Sequence, residues 1–111
     1  MAVAEINHLS IEKGTDFGAS ARIMSTNEAA AIISGISSSY ARIRKHSNSV
    51  VYEEFNSATL TSSGVLTLTL SADRSSRLES GRNYFDVVFV INNKKTKVAK
   101  GTMIVWESMS V

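Results

Sequence analysis

The chain has no cysteine and no proline. Without cysteine there can be no disulfide, no thiolate zinc site and no thiol catalysis, and the redox compartment is left open. Without proline, sharp turns fall to glycine, asparagine and serine. Histidine occurs twice, as His8 and His46, in no metal-ligand spacing such as H-x-x-x-H; solvated or half-packed side chains are the expected reading, and no metal or other cofactor is expected. No apolar run reaches the ~18 residues of a membrane span, and residues 1–20 lack a basic segment followed by an apolar one, so neither a membrane partner nor a signal peptide is expected. Neither sign of charge dominates: 12 basic residues stand against 10 acidic ones, interspersed, for a net charge of +2. That balance argues against nucleic acid as the main partner. A Gly-rich phosphate loop is missing too, since Gly14-Thr15-Asp16-Phe17-Gly18 is not G-x-G-x-x-G.

What is present is short β-strand patterning over 111 residues, 43% of them hydrophobic, enough for one domain (1–111) with one core and no large buried pocket. Val3–Ile11 reads as an N-terminal strand ended by Gly14. From Thr15 to Met24, Phe17, Ala19, Ala21 and Ile23 alternate with polar residues, the period-2 sign of a half-buried strand. Residues 27–37 are either a short helix capped by Asn27 and ended by Gly35, or a loop with Ile33 and Ile36 tucked under a sheet. Ser38–Lys45 alternates again, with Tyr40, Arg42 and Arg44 on one face and Ala41 and Ile43 on the other. A polar turn at 46–49 leads to a strand over Val50–Leu60, bent near Asn56-Ser57. Ser62-Ser63-Gly64 predicts a hairpin turn into Val65–Leu70, with its leucines inward.

Ser71 can cap a short helix near 72–80, anchored by Leu78 and terminated by Gly81. The strand that follows, Gly81–Ile91, is apolar on nearly both faces, and such a strand is normally covered on both. Asn92-Asn93 suits a two-residue hairpin loop. The return strand, Lys94–Trp106, is lysine-rich in its first half, as an exposed edge would be; Val98, Thr102, Ile104 and Trp106 are expected to share a face with Lys100. About seven strands and one short helix predict an all-β fold, a small antiparallel β-sandwich of Ig-like or open-barrel type.

No catalytic set can be assembled, and no enzyme is expected. Asp16, Asp73 and Asp86 are isolated, and Glu53-Glu54 point to opposite faces of a strand. Asp86, between Phe85 and Val87, needs a partner if buried; the reading favours an ion pair with Arg42 or Arg44 over a contact between subunits. The Arg42-Ile43-Arg44-Lys45 patch, with one aromatic on its strand, reads as an ion-paired face more readily than a nucleic-acid surface. Candidate interface residues are Tyr84, Asp86, Val88, Lys94, Lys95, Lys97, Trp106 and Met109. Met103 and Val111 could join them, and Trp106 could instead close the core.

Four segments carry a resemblance: Leu9–Phe17, Ser38–Lys45, Gly64–Ser71, and Gly81–Val87 with the closing Gly101–Val105. Their order resembles small virion structural proteins of tailed phages, especially of marine cyanophage type, and is similar to N-terminal modules of phage baseplate and fibre proteins. Such modules usually carry Asp-Leu-Thr-Gly-Tyr before the second segment, where this chain has Ile32-Ile33-Ser34-Gly35-Ile36. The resemblance implies a non-catalytic, multicopy or homo-oligomeric sandwich, assembled into a virion in the host cytoplasm and docked on other virion proteins. Capsid decoration is the leading expectation and a tail, neck or baseplate/fibre-attachment module the alternative. A carbohydrate-binding sandwich ranks lower, because most of the eight aromatic residues are expected in the core.

Overall fold

The computed structural model describes residues 3–46 and 49–107. Eight strands form two sheets: β1 (Ala4–Glu12), β2 (Phe17–Arg22), β3 (Ile36–Arg44), β4 (Glu53–Glu54), β5 (Ser57–Leu60), β6 (Val65–Leu70), β7 (Gly81–Ile91) and β8 (Lys94–Trp106). One sheet runs β1-β8-β7-β3-β4 and the other β2-β6-β5. Only β1 on β8 is parallel; all other pairings are antiparallel. The order β8-β7-β3 facing β2-β6-β5 is that of an Ig-type sandwich, with the first strand moved onto the last. The open-barrel alternative does not apply.

The core is the interleaving of two period-2 patterns. Leu66, Leu68 and Leu70 of β6 meet Phe85, Val87, Phe89 and Ile91 of β7, all buried. Phe55 packs edge-on to Phe85 with ring centroids 6.0 Å apart. Asn92 and Asn93 take positive φ (51° and 67°), as a tight hairpin between β7 and β8 requires.

Several expectations need correction. Val50–Leu60 is not one bent strand. Phe55 N–H donates to the Ala41 carbonyl in the first sheet, and the next amide, Asn56, donates to Thr69 in the second. The chain changes sheets within one residue, and the Phe55 side chain fills the gap it crosses.

Among the described residues there are two helices, and of the two readings of residues 27–37 the helix applies, with other bounds. α1 (Thr26–Ile32) is capped by the Ser25 hydroxyl rather than Asn27, and a 3₁₀ turn (Ile33–Gly35) follows it. At Gly35 a Cβ would lie 2.6 Å from Asn92 Oδ1 in the β7–β8 turn, so a side chain there would displace the Asn92 amide. α2 is a single turn, Ala72–Ser75, shorter than 72–80, capped by Ser71 as expected and also by Asp16, whose Oδ1 accepts from Ala72 N–H. Gly81 opens β7 and does not terminate the helix.

In β8, Val98 is a bulge: Val87 pairs with Ala99 while Val88 pairs with Lys97. The extra residue flips strand parity. Val98 therefore points inward, and the inner set continues as Ala99, Met103 and Val105, leaving Lys100, Thr102, Ile104 and Trp106 outward. Met103 is fully buried, so it belongs to the core and not to an interface.

Ser75, also fully buried, ties α2 to the β1–β2 loop. Its hydroxyl accepts from Gly14 N–H at 3.0 Å and donates to the Thr15 carbonyl at 2.8 Å. Ser75→Ala leaves a donor and an acceptor without this partner and should cost about 1–3 kcal/mol, read as a lowered urea midpoint with an unchanged slope.

Candidate functional site

The outer face of the five-stranded sheet has no covering layer among the described residues. Registry places its side chains in rows across the strands. One row reads Glu5 (β1), Lys100 (β8), Asp86 (β7), Arg42 (β3), Glu54 (β4): charge alternates in sign across all five strands. Lys100 pairs with Glu5 at 3.9 Å and Arg42 with Glu54 at 3.3 Å. Asp86 pairs with Lys97 at 3.5 Å, not with the Arg42 or Arg44 predicted, because the bulge at Val98 carries Lys97 to its side. Pairs this exposed contribute at most about 1 kcal/mol each. Their main effect is to keep the middle of the face wet, since any partner laid over it would have to strip water from five charges.

Flanking this row are aromatics. Arg42 Cζ lies 4.5 Å from the Tyr40 ring centroid and 4.4 Å from that of Tyr52, and Arg44 Cζ lies 5.1 Å from the Tyr52 centroid. Arg44 Nε also donates to the Ser49 carbonyl at 2.9 Å. These contacts hold the segment after residue 49 against the sheet, with Val50 and Val51 in solvent (89% and 80% exposed). The strand itself carries a single aromatic beside this basic patch; Tyr52 comes from another segment, and only the β3–β4 fold-back brings it there.

Between these features lies a hollow of about 280 Å3. Tyr84, Asp86 and Arg44 line one side, and Asn7, Lys97, Lys100 and Thr102 the other. It sits where two irregularities meet, the Asn7-His8 break in the β1 register and the Val98 bulge. Asn7 Oδ1 accepts from Thr102 N–H and faces Thr102 Oγ1, at 3.2 and 3.3 Å.

No family model matches the chain. No curated protein matches it either. Among solved structures, the fold is similar to a chain described as the crystal structure of Listeria monocytogenes InlP, with 13% sequence identity and a TM-score of 0.45; the match covers 94% of this chain and 26% of that one. This chain thus spans about a quarter of that structure's length, and the likeness carries no functional argument.

The predicted interface residues divide as follows. Tyr84, Asp86, Val88, Lys95, Lys97 and Trp106 share the outer face. Lys94 lies beside the turn, opposite the buried Ile91. β1 reaches β8 only at Ala99, so Lys94–Val98 keeps an edge unpaired by any described residue, and the edge reading applies to this half alone. Trp106 is 61% exposed and does not close the core. Met109 and Val111 lie outside the described residues. Within this chain the outer face of β7 is half-open: Tyr84 is 38% exposed, and Asp86, Val88 and Val90 are half-buried.

Proposed function

We propose that this chain is a non-enzymatic structural component of a tailed-phage virion, with capsid decoration as the leading role and a tail, neck or baseplate/fibre-attachment role as the second. The observation that carries the reading is the open sheet face ending in Trp106, a side chain 61% exposed at the last paired position of β8. Large exposed aromatics are common anchors at the centre of protein interfaces. The virion setting rests on the segments that resemble phage structural proteins. The charge row limits how a partner can sit. An apolar contact would stay at the Trp106–Ile104 end, and the Glu5–Glu54 row would remain hydrated at its rim.

Mass spectrometry and imaging of purified particles of the phage that encodes the chain test this. The protein should be present in many copies on the particle surface, and its absence from purified particles would refute the reading. Trp106→Arg should leave unfolding free energy within about 0.5 kcal/mol, as for an exposed residue, yet abolish incorporation into particles. Normal incorporation of this variant would place the docking contact elsewhere.

A further inference from the structure

We propose that the hollow on the outer sheet face is a binding site for a single carboxylate-bearing sugar residue, such as a uronic acid. The inference does not rest on the virion reading. Its volume of about 280 Å3 is just under the ~300 Å3 at which ligand sites start, and suits one pyranose unit better than a peptide or a stack of bases. Its lining combines three chemistries that a sugar needs together: a half-exposed aromatic ring, a carboxylate acceptor and several fixed donors. Tyr84 is 38% exposed and supplies an apolar surface for the C–H face of a pyranose. Asp86, on the same face, can accept from two neighbouring hydroxyls; its contact with Lys97, at 3.5 Å, is long enough to leave lone pairs free. Asn7 uses its carbonyl oxygen on Thr102, which leaves its NH2 group to donate.

The sign of the sugar follows from the charge count at the hollow. Lys97 is matched by Asp86 and Lys100 by Glu5. Arg44 spends its Nε on the Ser49 carbonyl, and among the described residues it has no carboxylate partner. Its guanidinium, which also lies 5.1 Å from the Tyr52 ring centroid, is the positive charge of the lining without a carboxylate partner among the described residues, and a guanidinium prefers a planar carboxylate.

An NMR titration of the chain followed through amide resonances provides the test, with trigalacturonic acid, chitotriose and a single-stranded oligothymidylate as separate probes. Trigalacturonic acid should shift residues 5–7, 84–86 and 97–102 in a saturable way, and binding should weaken as NaCl rises from about 50 to about 500 mM. Tyr84→Ala and Asp86→Asn should each weaken it by roughly tenfold or more while the rest of the spectrum stays native. Arg44→Gln should remove the preference for trigalacturonic acid over chitotriose. Equal or tighter binding of chitotriose by the unaltered protein would overturn the assignment. So would binding of the oligothymidylate alone, or no saturable shift with trigalacturonic acid up to about 20 mM.

Discussion

Gly101→Ala should destabilise the fold by about 3 kcal/mol or more, at or above the top of the usual range for overpacking. Gly101 pairs with Ile6 in the parallel β1–β8 ladder. A Cβ at position 101 would lie 2.6 Å from the Ile6 carbonyl carbon and would overlap the carbonyl oxygen. Both obstructing atoms are backbone, so no side-chain rotation relieves the clash; β1 must move off β8. That movement would break the ladder at Ala4–Ile6 and disturb the seating of Ile6, which is 5% exposed in the core. Gly18 in β2 is the control. A Cβ there meets nothing nearer than the Leu68 carbonyl oxygen at 4.0 Å, and Gly18→Ala should be neutral or stabilising by about 0.4–1 kcal/mol through the unfolded chain. Urea unfolding of the two variants decides the matter. A Gly101→Ala midpoint equal to that of Gly18→Ala would mean that β1 does not approach β8 as described.

Gly101 also marks the limit of what the sequence discloses. Its place in a closing Gly-Thr-Met-Ile-Val segment is plain, but nothing in the chain says that the first strand returns to lie parallel beside it. Within single strands the pattern was readable. Phe17, Ala19 and Ala21, the three leucines of β6, and the alternating sides of β3 and β7 all lie on the faces that period 2 predicts. Reading failed where one residue breaks the period. Val98 is an ordinary β-branched residue, and only pairing with β7 shows it to be a bulge that turns Met103 and Val105 inward. Phe55 gives no sign of a change of sheet, since a strand bent within one sheet and a strand that crosses between two have the same apolar pattern.

The candidate site divides along the same line. Tyr84 and Asp86, like Tyr40, Arg42 and Arg44, were assigned to common faces from their own strands. The alternating charge row was hidden because its five members come from five strands and only registry aligns them. The partner of Asp86 was misassigned for the same reason: Arg42 is its neighbour in register, but the shifted register across the bulge brings Lys97 within reach. Tyr52 was missed because it belongs to no strand at all.

Phe89→Ala should cost about 3–5 kcal/mol, the range for truncating a buried aromatic. Phe89 is 1% exposed, the largest of the fully buried side chains, and stands on the central strand between Ser39 of β3 and Thr96 of β8. Its ring points to the second sheet, so truncation opens a void between the sheets and not at their rim. With total stabilities of small domains near 5–15 kcal/mol, the variant should be unfolded or poorly cooperative at moderate urea. Val88→Ala, one position away on the same strand, tests the face assignment, because Val88 is half-buried on the outer face and should cost far less, within about 1.5 kcal/mol. If the two variants unfold at the same urea concentration, β7 is covered alike on both sides, and the outer face is not the open surface on which the docking and sugar-binding readings depend.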